Sequence, residues 1–304
     1  MNWRRRDLWQ RALAPLALAT LVTAGATLVA AGPVSAAKAP ATYYVSIGDS
    51  YAVGYQPDPG VSLRHGYTGV VVSLEHRKGT DLTLANFGCG GATTASLLSS
   101  IGCPDAARAT HGEPYTTTSQ AFAATEFITA HRGHIGLITI SIGGNDITAC
   151  ALAASPTACV AAALPVVSKN VDTLVQAVHA AAGPKVPIVG LTYPDVILGS
   201  WVRPPANQTL AKESVLAFGL LINPALKKAY ASNGGSFIDV TKATGAYTAL
   251  TKTVMLAPYG QVPVAVSDVC TLTWYCAKGD IHPHTSGYAL IGKLIVNSLG
   301  RHLP

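Results

Sequence analysis

The sequence predicts an α/β fold: a three-layer α/β/α sandwich around a central parallel sheet. Three observations carry that expectation. Short apolar runs alternate along the chain with longer stretches whose apolar residues recur at helical spacing. The clearest run is almost uniformly apolar, as a strand covered on both faces must be. No linker and no fixed-period repeat divides the 304 residues. Strands alternating with helices imply crossover connections, and therefore parallel pairing under two helical layers.

The first 36 residues stand apart from that pattern. Arg4, Arg5, Arg6 and Arg11 make a basic start, an apolar stretch follows from about Ala12 to Gly32, and Val34-Ser35-Ala36 closes with small residues that a signal peptidase accepts. Pro15 and the Ala/Gly/Thr-rich character favour a removed export signal over a membrane anchor. Arg5-Arg6-Asp7-Leu8-Trp9 also fits a loose twin-arginine pattern, so both export routes stay open. Residues 1–36 are therefore expected to be a signal peptide, and residues 37–304 one secreted domain.

In the remainder, Tyr43-Tyr44-Val45-Ser46-Ile47 is aromatic and β-branched and breaks at Gly48-Asp49, which predicts a strand feeding a turn. Ile135 to Ile142 ends at Gly143-Gly144 and predicts a buried strand. Val186 to Leu191 and Ser236 to Val240 predict two more. Helical spacing marks Gln120 to His131, Val166 to Ala182, Gln208 to Ala231 and Ser286 to Leu299. Residues 241–279 are mixed and loop-rich, and long irregular segments of compact domains are commonly functional.

Charge and cysteines narrow the function classes. The net charge is +6 over the whole chain. Without residues 1–36, Lys+Arg drops from 21 to 17 and Asp+Glu from 15 to 14, leaving +3. No basic cluster larger than a pair survives, so no nucleic-acid partner is expected. Beyond the signal no run of eighteen apolar residues exists, since the Ala-rich stretch 151–167 is broken by Ser155, Pro156, Thr157 and Pro165, so no stable membrane insertion is expected. The six cysteines fall in three local couples, predicting the disulfides Cys89–Cys103, Cys150–Cys159 and Cys270–Cys276 in an oxidising compartment. Asn207-Gln208-Thr209 is a glycosylation sequon.

Four blocks carry side chains suited to chemistry. Gly48-Asp49-Ser50-Tyr51 follows the first strand, where a serine hydroxyl is exposed and becomes a nucleophile beside a base. It is not a G-x-S-x-G elbow, because Ala52 stands in the second glycine's place. Gly88-Cys89-Gly90-Gly91 can aim backbone N–H groups at a developing anion. Gly143-Gly144-Asn145-Asp146 places an amide donor at a strand end. Gly279-Asp280-Ile281-His282-Pro283-His284 offers a general base with a neighbouring carboxylate. A metal site on Asp280, His282 and His284 is the rival reading, but no second ligand cluster supports it, so no metal and no cofactor are expected. Singly, each block is also ordinary turn chemistry.

Together, from about residue 43 to 299, the four blocks resemble the SGNH (GDSL-like) hydrolase family of the secreted actinobacterial kind. Ser50, Gly91, Asn145 and His282 match, in order, the four residues for which the family is named. The resemblance implies a flavodoxin-like sheet and Ser50 as nucleophile. It also implies an oxyanion hole from Ser50 N–H, Gly91 N–H and the Asn145 amide, with His282 as base. It implies an acyl ester substrate, small or lipid, and a monomeric secreted esterase or lipase. Carbohydrate deacetylases, phospholipases and thioesterases share these blocks, and a silent surface-binding module or a membrane-tethered enzyme are the rivals from other classes.

One position departs from the family. Its triad Asp usually stands three residues before His, where this chain has Gly279. Either Asp280 orients His282, since residues two apart in extended chain share a face, or the Gly279 carbonyl does so in a Ser–His dyad. The expectation leans to the dyad. Trp274 and Tyr275 either line an acyl pocket or pack the Cys270–Cys276 loop. The proposed disulfides would each staple a loop bearing one block and so preorganise the site.

Overall fold

A computed structural model describes residues 42–58, 60–61 and 66–300, together with Leu303. The expected signal over residues 1–36 lies outside the described residues. The first half runs β1 (Thr42–Gly48), α1 (Ser50–Val53), β2 (Tyr55–Gln56), β3 (Gly60–Val61), α2 (Tyr67–Arg77), β4 (Leu82–Asn86), α3 (Thr94–Ser99), α4 (Gln120–Ala130), β5 (Ile135–Ser141) and α5 (Gly144–Ile147). The second half runs α6 (Pro156–Ala182), β6 (Ile188–Leu191), α7 (Gln208–Ala217), α8 (Asn223–Ala231), β7 (Ser236–Ile238), α9 (Val240–Ala243), β8 (Thr253–Leu256), β9 (Gly260–Pro263), α10 (Val264–Leu272), α11 (Tyr275–Lys278) and α12 (Thr285–Ser298).

Five strands form one parallel sheet in the order β4-β1-β5-β6-β7. The four strands read from the sequence are all in it. The fifth, β4, has only five residues, Leu-Thr-Leu-Ala-Asn, on the sheet edge. Its one exposed threonine and short length leave no continuous apolar run to mark it.

Helices cover both faces, each over its own apolar layer. Val45 and Ile47 of β1 face a layer shared with Ile128 of α4, Leu174 and Val178 of α6, and Leu226 of α8. Tyr44 faces the opposite layer with Tyr67 and Val71 of α2 and Tyr288, Ile291 and Ile295 of α12. These side chains are essentially solvent-free, and fully burying one contributes about 1.5–3 kcal/mol. A smaller cluster of Leu198, Ala211, Val262, Ala265, Val266 and Val269 organises the loop-rich stretch. That stretch therefore holds α9, the β8–β9 pair, α10 and α11 rather than irregular chain.

Two helices differ from the sequence expectation. α6 begins at Pro156, not near Val166. Pro156 occupies the first turn, where its missing N–H would have no partner anyway. Pro165 lies inside the helix and costs about 3 kcal/mol there. Val160, Leu164, Val167 and Val171 bury a continuous stripe around it, and that burial outweighs the cost. The helix expected across residues 208–231 is interrupted: a π-turn at Phe218–Ile222 separates α7 from α8. Asn223 N–H reaches back five residues to the Phe218 carbonyl, just before Pro224, which has no N–H to continue the ladder.

The sheet order decides where the site forms. Ligands of open parallel sheets bind outside the carboxyl ends of strands. Here β4, β1 and β5 are neighbours about 4.8 Å apart, so the Gly91, Ser50 and Asn145 blocks that follow them emerge side by side. Gly48 makes this crowding feasible: a side chain on it would collide with the Ser141 carbonyl of β5.

Candidate active site

Ser50 opens α1 directly after β1 and is only 8% exposed. Asp49 caps the helix, its Oδ1 accepting the Tyr51 N–H at 2.9 Å. Its Oδ2 accepts the Tyr193 hydroxyl, 2.6 Å away at the end of β6. Burial raises the Asp49 pKa to about 6, against those two hydrogen bonds and the nearby His282 charge. Both neighbours of Ser50 are thus anchored: Asp49 to Tyr193, and Tyr51, whose hydroxyl donates to the Ile281 carbonyl at 2.6 Å. At the first position of α1, Ser50 N–H has no intrahelical partner.

The imidazole arrives from the loop between α11 and α12. His282 Nε2 lies 2.7 Å from Ser50 Oγ, and Nδ1 lies 2.8 Å from Asp280 Oδ1. An ionised Asp280 only accepts, which assigns the proton to Nδ1 and leaves Nε2 to receive the Ser50 hydroxyl. Asp280 Oδ1 also accepts the His282 backbone N–H at 2.9 Å. Burial pushes the Asp280 carboxyl up, but the two His282 hydrogen bonds and the His282 and Lys278 charges prevail and hold it below the usual range.

The structure brings the Asp280 carboxylate to His282 Nδ1, which favours it over the Gly279 carbonyl towards which the sequence expectation leans. Asp280 bonds to both its own loop and the ring because an Asx-type turn over 280–282 folds its carboxylate beside Nδ1, and Gly279 sits with φ +70° at the end of α11. His284 does not join them: its Nδ1 donates to the Thr271 carbonyl at 3.0 Å, and Trp274 packs edge-on against its ring.

The proposed oxyanion donors are also linked. Asn145 Nδ2 donates to the Ala92 carbonyl at 2.9 Å, tying the β5 loop to the residue after Gly91. Asp146 accepts the Thr94 N–H and hydroxyl, reinforcing the same junction. Gly91 has φ +80°, which favours glycine, and among the described residues its N–H meets no protein acceptor. It faces a separate depression with Cys89 and Ser96, whereas Ser50 and Asn145 border the main cleft.

The three disulfides expected from the sequence all form: Cys89–Cys103, Cys150–Cys159 and Cys270–Cys276. Each holds a loop beside one block. Cys150 itself lines the cleft, which runs from Ser50 between the start of α6 and α7. Its walls are apolar, with Ile147, Val160, Val196, Leu210, Phe218 and Ile222. Trp274 and Tyr275 do not line it. Trp274 bonds to Gln56 and lies against Lys278, while Tyr275 packs on Gly199 and contacts the Ser200 hydroxyl. They pack the Cys270–Cys276 loop.

Tyr193 and Tyr51 were not assigned roles from the sequence. Tyr193 had a usable signal: Thr192-Tyr193-Pro194-Asp195 follows β6 as the serine block follows β1. The profile of the GDSL-like Lipase/Acylhydrolase family matches residues 46–290. The chain belongs to that family. It is accordingly a carboxylic ester hydrolase of the GDSL type. Its fold is similar to an extracellular lipase from Streptomyces rimosus, at 21% identity and TM-score 0.52, covering 85% of this chain and 99% of that one. It is also similar to phospholipase A1 from Streptomyces albidoflavus, at 17% identity and TM-score 0.50, with 85% and 99% covered. No curated protein matches the sequence.

Proposed function

We propose that this GDSL-family hydrolase is a secreted serine esterase or lipase that cleaves acyl esters through a Ser50 acyl-enzyme. The observation that carries the reading is the hydrogen-bonded run from Asp280 through His282 to Ser50 Oγ at the mouth of an apolar cleft. His282 Nε2 takes the hydroxyl proton as Ser50 Oγ bonds to the ester carbon. Ser50 N–H, Gly91 N–H and Asn145 Nδ2 stabilise the tetrahedral oxyanion, each donor worth about 10²–10³ in kcat. The carbon–oxygen bond to the alcohol then breaks, and His282 returns the proton to that alcohol. Water repeats the sequence on the acyl-enzyme, releasing the acid and restoring Ser50.

The apolar walls suit an acyl chain, and short- to medium-chain esters are the preferred substrates. Export through residues 1–36 agrees with three disulfides in residues 37–304. The test is covalent labelling by an alkyl fluorophosphonate together with turnover of chromogenic esters from acetyl to decanoyl. Ser50→Ala should abolish both. A protein that is not labelled at Ser50 while still hydrolysing the esters would overturn the assignment.

A further inference from the structure

The cleft is bordered by an exposed apolar surface that its own packing does not use. Residues 151–168, which form one wall, contain no charged side chain. In this span Leu152 is 93% exposed and Val166 60%. Ala158, Ala161, Ala162 and Pro165 are exposed with them. The opposite wall belongs to α7 and the π-turn, whose outer face presents Leu216 at 58% and Leu220 at 71% exposure. These are neighbours one turn apart, and α6 packs against both segments. Isolated exposed leucines are ordinary on a soluble protein. Here they occur on both segments whose inner residues, Val160 and Ala217 among them, line the cleft that reaches Ser50.

Charge around the same surface is predominantly positive, four lysines against half-exposed Glu213 and Asp172. Lys169 follows Val166 on α6, Lys212 precedes Leu216 by one turn, and Lys227 and Lys228 lie beyond Leu220; all four are exposed. The neighbouring acids are turned to other uses: Glu213 borders the cleft, and Asp172 holds the Asn233 amide. An apolar patch ringed by lysines is complementary to an anionic lipid surface, where apolar side chains enter the acyl boundary and each lysine adds roughly fivefold in affinity.

We propose that this face docks on aggregated lipid bearing anionic head groups, so that an ester chain passes from the lipid phase into the cleft. The inference rests on the ester-hydrolase reading above, but its test separates the two. Ser50→Ala protein is sedimented with phosphatidylcholine vesicles with and without phosphatidylglycerol, so binding is measured without turnover. Wild type and a Leu152→Asp/Leu216→Asp/Leu220→Asp variant are compared on emulsified triacylglycerol and on soluble p-nitrophenyl acetate. The expected result is sedimentation with the anionic vesicles that salt weakens. The variant should bind at least tenfold less and lose emulsion activity in proportion, with acetate turnover within twofold of wild type. A Leu→Gln set at the same positions, checked by Tm, guards against misfolding. Failure to sediment, equal sedimentation with neutral vesicles, or undiminished binding by both variants overturns the docking surface. Absence of acetate turnover in wild type would count instead against the hydrolase reading.

Discussion

At the level of single residues, the shift of the carboxylate from three to two positions before the histidine is the distinctive feature of this chain. An acid at position 280 reaches the ring because its Oδ1 accepts the His282 backbone N–H, an Asx-type turn that folds the carboxylate back beside Nδ1. Asp280 then satisfies two donors with one oxygen, Oδ1. Asp280→Asn keeps the shape but removes the charge that fixes the imidazole tautomer and stabilises the imidazolium. The expected loss is on the order of 10⁴ in kcat with little change in KM, measured on a soluble chromogenic ester. A kcat near that of wild type would return the orienting role to a backbone carbonyl. All four blocks and Asp280 were visible in the sequence, the Ser50 and Asn145 blocks at the ends of recognised strands and the histidine block before the last helix. Which acceptor holds Nδ1 was not, because a side-chain oxygen and a carbonyl one residue away differ only in three dimensions.

Between elements, the Ser50 turn and the histidine loop are separated by 230 residues, and besides the Ser50–His282 contact the Tyr51 hydroxyl joins them by donating to the Ile281 carbonyl. Around it, Trp274 N–H donates to the His282 carbonyl, His284 N–H to the Leu272 carbonyl, and the Tyr288 hydroxyl to the Tyr55 carbonyl. The Tyr51 ring also lies against the His282 imidazole, so the expected role of Tyr51 is to position that ring. Tyr51→Phe removes one hydrogen bond and leaves the Ile281 carbonyl unpaired, a cost of about 1–3 kcal/mol. The expected consequence is a fall in kcat of about tenfold with KM nearly constant. The Ser50 labelling rate should fall in parallel, while far-UV circular dichroism stays unchanged. An unaltered kcat with a lowered Tm would make the contact purely structural. The π-turn between α7 and α8 belongs to this scale too. Helical spacing across residues 208–231 reads as one element, because Ala211, Ser214, Phe218, Ile222, Leu226 and Ala229 keep three- and four-residue spacing straight across the π-turn.

For the whole molecule, the buried carboxyls of Asp49 and Asp195 influence stability with pH. Burial raises Asp49 to about 6 and Asp195 to about 7, the latter despite hydrogen bonds from the Ser214 hydroxyl and the Leu198 N–H. A raised folded-state pKa means that the native protein holds these protons more tightly than the unfolded chain. Stability from these groups is therefore greatest near pH 4, falls as pH rises through about 6 and 7, and levels off above. Asp195→Asn keeps an acceptor and removes the charge. Urea unfolding should show it more stable than wild type at pH 8, by up to about 4 kcal/mol, and within about 1 kcal/mol of it at pH 4. Equal differences at both pH values would contradict this account.

The amino-acid order alone determined the alternation of strands and helices, the three cysteine couples and which side chains are candidates for reaction. Each of these is a local property: periodicity, spacing or residue type within a short window. The tertiary structure decided the rest. It placed the short edge strand β4 beside β1, so that the Gly91 and Asn145 loops flank Ser50. It also carried α6 through Pro165 by burying a stripe that outweighs a missing hydrogen bond. Finally, it selected the apolar space between α6 and α7, rather than the Trp274 loop, as the cleft beside the nucleophile. Those outcomes depend on which distant segments meet, and contact between distant segments leaves no periodic trace in a linear chain.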